Sequence, residues 1–166
     1  MATHKIGVFG WGTVPDATGG VFFELYSTKA TNDNWKRLVC IFNDTASDIA
    51  LHGGFTVPQN YVGSASVIAT WTAIITTGSF LFGFDYRPVA LTESFDQATA
   101  VQSASVLVSS PSAVNLRQDA VIGLTSACIV AGDEVEFFFT RKGTNASDTG
   151  ASAAILFNLL FGYTDV

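Results

Sequence analysis

Over most of this 166-residue chain, apolar and polar residues alternate with a period of two. Successive side chains of a strand point to opposite sides of a sheet, so this period means strands with one buried face. The alternating runs cover residues 21–26, 36–42, 49–57, 64–75, 79–86, 101–109, 120–125, 134–141 and 153–163. Between them stand turn formers: Asn43-Asp44, Pro58, Thr76-Thr77-Gly78, Pro111 and Ala131-Gly132-Asp133. In residues 79–86, Phe80, Phe82, Phe84 and Tyr86 share one face. Gly53-Gly54 interrupts the third run and suggests a bulge or a close backbone approach. Residues 151–160 have a composition compatible with a helix, but Phe157, Phe161 and Tyr163 suit a last strand better. About eight strands at short spacing, without a capped amphipathic helix, predict an all-β antiparallel sandwich or barrel.

The length fits one domain, large enough to build a core without disulfides or metal. Hydrophobic residues make up 48% and charged residues 13%, the latter about half the usual share; mean hydropathy is +0.36. The longest apolar stretch, residues 151–163, falls short of the roughly 20 residues that a helical span needs. The first residues, Met1-Ala2-Thr3-His4-Lys5, do not have the pattern of a secretory signal. No membrane is expected as a partner. A chain with too little charge to cover its surface is expected to hide part of it against partners, so self-association is the first functional expectation.

Residues 1–20 differ from the rest. Ile6, Val8, Phe9 and Trp11 alternate with glycines before Pro15. Four apolar side chains on a glycine-rich stretch fit an extended arm that docks on a neighbouring subunit, or a first strand packed on its own domain. The division is then an N-terminal arm over 1–20 and a β-sandwich over 21–166. A net charge of −6 with scattered basic residues argues against nucleic acid. Cys40 and Cys128 both fall in apolar patterns and read as buried thiols, or as a disulfide across the sandwich if their strands face each other at the right Cα distance.

The inventory for catalysis is thin, and the chain is expected not to be an enzyme. His4 and His52 are the only histidines, and no His-x-His or Cys-x-x-Cys pair supports zinc. Glu134 and Glu136 share a strand face that reads as the solvent side, with Val135 and Phe137 pointing inward. Asp85, Glu93 and Asp96 do not form a dense oxygen-ligand loop for Ca²⁺. Gly10-Trp11-Gly12 lacks the spacing of a phosphate cradle. Catalytic residues, metals and cofactors are therefore expected to be none. Trp71 reads as core. Trp35, beside Asn32-Asp33-Asn34, and the polar loop 142–150 with Asn145 and Asp148 are the candidates for an exposed binding loop, with sugar stacking as the chemistry.

With the strands placed, Phe55-Thr-Val-Pro-Gln-Asn-Tyr61, Val67-Ile-Ala-Thr-Trp71, Ala131-Gly-Asp-Glu-Val135, Thr140-Arg141 and Phe161-Gly-Tyr163 follow one another in an order that resembles small jelly-roll proteins of tailed bacteriophages. The resemblance covers roughly residues 21–163. It implies a jelly-roll sandwich acting as a virion structural protein on the outer surface of the capsid. The role it implies is that of a cement or decoration protein, a homotrimer bound between capsomers of the major capsid protein. The alternative is a receptor- or carbohydrate-binding module of a fibre or spike, with a host glycan as partner.

Overall fold

The computed structural model of the chain describes residues 1–8, 14–15, 20–27, 36–96 and 101–165. Its strands are β1 (Thr3–Gly7), β2 (Val14–Pro15), β3 (Val21–Ser27), β4 (Lys36–Phe42), β5 (Asp48–Thr56), β6 (Gly63–Ala73), β7 (Ser79–Val89), β8 (Gln102–Ser109), β9 (Gln118–Gly123), β10 (Glu134–Lys142) and β11 (Ala154–Thr164). They form two antiparallel sheets. One runs β3-β4-β11-β6-β9, with β1 also on β11; the other runs β2-β5-β10-β7-β8. This is the all-β sandwich expected from the alternation, with the jelly-roll architecture that the resemblance implied.

The core lies between the sheets, where the alternate residues of each strand meet. From β7 come Phe80, Phe82, Phe84 and Tyr86, and from β10 Val135, Phe137 and Phe139. Facing them are Val67, Ala69 and Trp71 of β6 and Leu156, Leu159 and Phe161 of β11. The rings pack as offset stacks and edges: Phe84 on Phe137 at 5.0 Å, and Trp71 edge-on to Phe80 at 4.8 Å.

The last strand shows why its sequence also looked helical. A register shift between Leu156 and Asn158 inserts Phe157 as an extra residue. Inward parity therefore passes from even to odd numbers, from Leu156 to Leu159 and Phe161, and the simple period of two is lost. Phe157 instead lies on the outer face, where the Arg37 guanidinium sits 5.8 Å from its ring.

Three readings are decided here, two between their alternatives and one by correction. Residues 3–8 do not form an extended arm. β1 pairs with β11 of the same chain, from Thr3 opposite Thr164 to Gly7 opposite Leu160. Ile6 packs against the core and Val8 belongs to it. The cause is an open ladder: β4 reaches only Ala154–Leu156 of β11, so the outer edge of residues 160–164 needs another partner. Phe9 and Trp11 lie outside the described residues. Second, of the two readings of Gly53-Gly54 the bulge is absent, since the register of β5 with β10 is unbroken from Asp48 to Thr56, and the close approach is found: a Cβ on Gly54 would lie 3.3 Å from the Val135 carbonyl oxygen. Third, only Cys40 is buried. Cys128 is exposed, in a 3-10 turn (Ser126–Cys128) closed by Cys128 N–H to Thr125 O and Ile129 N–H to Ser126 O. Both thiols are free, and burial pushes that of Cys40 up to about 12.

The two ends of the chain are tied together. His4 Nε2 lies 2.7 Å from Asp165 Oδ2, and Ala2 N–H donates to Asp165 Oδ1 at 2.7 Å. The Ala2 amide first, then His4, holds the Asp165 carboxyl below its ordinary value.

Candidate functional site

The outer face of the second sheet carries a cleft of about 340 Å³, lined by residues of β5, β7 and β10 and by Val101. Its floor is fixed by register. Phe138 of β10 stands directly opposite His52 of β5 on one side and Asp85 of β7 on the other. In the next row, Glu136 lies between Gly54 and Arg87. Gly54 adds no side chain to that row, and the Glu134 carboxylate leans over it, its Oε1 3.4 Å from where a Cβ would stand.

Phe138 is the unusual member. Strand β10 has three phenylalanines in succession, and alternation sends Phe137 and Phe139 into the core and Phe138 to the solvent side. It remains 42% exposed, with the His52 ring edge-on at 4.3 Å. A half-exposed ring offers a flat apolar face with negative quadrupole, which attracts weakly polarised C–H groups and cations.

Charge surrounds that ring in pairs. Arg87 bonds Glu136 through one Nη2, which also donates to Phe95 O at 2.7 Å. Lys142 Nζ lies 3.2 Å from Asp85 Oδ2. To reach Asp85, the Lys142 stem crosses directly over Gly83, where a Cβ would collide with Lys142 Cε. Each pair shows an acceptor and a donor side by side. A hydroxyl group both donates and accepts, so vicinal hydroxyls fit such pairs.

The loop 142–150, expected as an exposed binding loop, is built differently. The side chain of Asp148 is 2% exposed and closes on Arg141, with Arg141 Nη2 2.8 Å from Oδ1 and Nε 3.1 Å from Oδ2. Arg141 shares the inward parity of Phe137 and Phe139 and lies 4.7 Å from the Phe80 ring centroid. It also donates to the carbonyls of Asn43, Ser152 and Gly150 and pairs with Asp44. Gly150 makes this closure possible, because a Cβ there would meet the Phe80 ring at 2.6 Å. Asp148 is therefore a buried anion that closes the loop on Arg141, not an exposed loop residue. Asn145 is exposed, but its Oδ1 accepts Ser147 N–H at 2.9 Å and so shapes the turn. Trp35 lies outside the described residues, and Trp71 is in the core.

The cleft brings together His52, Asp85, Glu136 and Phe138, which sequence reading treated separately or passed over. Phe138 carried a signal: an aromatic residue sharing parity with Glu134 and Glu136 on a face otherwise polar. Among the described residues, no group of three or more His, Cys, Asp or Glu is placed to hold a metal ion. Nor is any helix among them long and apolar enough to cross a membrane.

No protein-family model matches the chain, and no curated protein matches it. Solved structures do share its fold. A CBM35 module from Cellvibrio japonicus Abf62 superposes with a TM-score of 0.54 at 10% identity, over 99% of this chain and 95% of that one. A β-1,3-glucan-binding CBM6 from Bacillus halodurans gives 0.50 at 10% identity, over 97% and 96%. An arabinose-bound α-L-arabinofuranosidase, MgGH51, gives 0.53 at 10% identity, over 92% of this chain but 23% of that enzyme. The CBM35 and CBM6 modules share the β-sandwich, so the jelly roll of the expected family stands, while its link to phages has no support.

Proposed function

We propose that this domain binds a glycan on the outer face of β5, β10 and β7 and does not cleave it. The carrying observation is Phe138, a half-exposed ring flanked by two ion pairs in a cleft. A pyranose stacks its C–H face on that ring while its hydroxyls bridge Asp85–Lys142 on one side and Glu136–Arg87 on the other. Both carboxylates are tied to cations, an arrangement for holding hydroxyls rather than for delivering a proton to a leaving group. The likeness in fold to the CBM35 and CBM6 modules supports this reading, although fold alone does not set function.

The test is a screen of the purified chain on immobilised neutral and acidic glycans, followed by titration calorimetry with wild type and Phe138→Ala. Binding by wild type and its loss in Phe138→Ala is the expected result. No binding to any glycan overturns the reading.

A second reading, self-association as a homotrimeric virion component seated on a capsid, draws on the ribbon of β3 and β4. Leu25 and Leu38 stand opposite one another, with the same parity as core residues Val21, Cys40 and Phe42, yet both are exposed. Light scattering over a dilution series separates the two readings. A stable mass near three times 17.6 kDa supports the trimer, and a monomer removes it.

A further inference from the structure

The connection after β7 borders the cleft and exposes large apolar side chains. Ala90 and Glu93 close a tight turn, with Glu93 N–H donating to Ala90 O and Ala90 N–H to Glu93 Oε2. Leu91, at the tip, is 97% exposed, and Phe95, just after it, is 58% exposed. Val101, which lines the cleft itself, is exposed as well. Single exposed apolar residues are ordinary. Here three fall within one connection that borders a cleft already holding an exposed aromatic ring.

The turn is also fastened to the cleft. One nitrogen of Arg87 donates both to Phe95 O and to Glu136 Oε2. The Phe95 main chain therefore sits one guanidinium away from a cleft carboxylate. Glu136 lies two residues from Phe138 along β10, which places it about 7 Å further along the same face. The order across the surface is thus aromatic ring, ion pair, and the main-chain carbonyl of a second, exposed aromatic residue.

We infer that Phe95 is a specificity-determining residue that makes this a site for oligosaccharide chains rather than single sugars. The inference rests on the glycan-binding reading above. One unit stacks on Phe138 and reaches the Glu136–Arg87 pair with its hydroxyls. The next unit along the chain leaves the floor of the cleft and meets the side chain of Phe95. Arg87 is the positioning residue. It holds the carbonyl of Phe95 and the Glu136 carboxylate in one frame, so that the second subsite keeps a fixed distance from the first.

The experiment measures dissociation constants for ladders of β-1,3- and β-1,4-linked gluco-oligosaccharides, from one to six units, with wild type, Phe95→Ala and Phe95→Tyr. Phe95 is exposed, so its removal leaves the core intact, which thermal unfolding checks. Wild type is expected to gain about tenfold in affinity between one and three units, corresponding to roughly 1.4 kcal/mol. Phe95→Ala is expected to flatten that gain while leaving the shortest ligand unchanged, and Phe95→Tyr to restore it. A length dependence that survives in Phe95→Ala, or an equal loss at every length, overturns the inference and leaves the glycan reading standing. If no member of either ladder binds wild type, but another glycan in the screen binds in a Phe138-dependent way, the inference is overturned for these chains alone. If nothing binds at all, both fall.

Discussion

Arg141 on β10 and Arg87 on the neighbouring β7 each gather a carboxylate and a main-chain carbonyl, and they end in opposite situations. Arg141 faces inward at the end of its strand. Its guanidinium lies over Phe80, pairs with Asp148 and Asp44, and caps the carbonyls of Asn43, Gly150 and Ser152. Nothing is left for a ligand, and the side chain is 1% exposed. Arg87 faces outward, and its pair with Glu136 stands at the rim of a cleft beside an exposed ring. The difference teaches how to read charge in a sparsely charged domain. A buried ion pair must satisfy all its hydrogen bonds internally or it costs stability. A pair on an open sheet face costs little to keep, because water still reaches both of its members.

The contrast breaks first at Arg141. Arg141→Met is expected to lower unfolding stability by about 3–5 kcal/mol, because it leaves Asp148 buried without its partner. Urea titration reads this as a lower midpoint. A loss under about 1 kcal/mol would mean that water reaches Asp148 and that the closed cluster is less dry than its geometry indicates. Phe138→Ala should show the opposite profile: about 1 kcal/mol or less in stability, since much of the ring is already in water, with a loss of tenfold or more in glycan affinity.

Gly83→Ala probes the cleft more finely. The added methyl displaces the Lys142 stem from its path over the strand, and the pair with Asp85 opens. Stability should change by a few tenths of a kcal/mol, since a partly exposed ion pair contributes little and alanine suits a strand interior better than glycine. Glycan affinity should fall severalfold. An unchanged affinity would show that Lys142 and Asp85 do not touch the ligand.

The same contrast explains what was legible in the sequence. The nine alternating runs lie close to β3 through β11, because strand parity is set locally by burial of one face. The N-terminal strand was harder to read, since whether Ile6 and Val8 dock at home or abroad depends on how far β4 runs along β11, a non-local fact. Asp148 looked like a loop residue open to ligands because its sequence neighbours are polar. Its partner, Arg141, is seven residues away and turned inward by parity, and only the folded loop brings the two together. The cleft was half legible. Phe138 could be placed on the Glu134–Glu136 face by counting, but the charges beside it come from β7, whose register against β10 no local pattern encodes.

The smallest effect is expected at a third carboxylate, Asp165, which is neither buried like Asp148 nor part of the cleft. The amide of Ala2, and then His4, lowers its folded pKa below the unfolded value near 4. A lowered folded pKa means that the contribution to stability is present above the unfolded pKa and fades as the pH falls through the folded one. Wild type should therefore be more stable than Asp165→Asn at neutral pH. The two should converge as the pH drops below about 4, because protonation removes the same charge that the substitution removes. Urea midpoints for the pair of proteins between pH 7 and 3 measure this directly. If the gap stays constant with pH, the link between the chain ends depends on the shape of the side chain and not on its charge. In that case β1 is held by its ladder to β11 and by Val8, with the carboxylate adding nothing electrostatic.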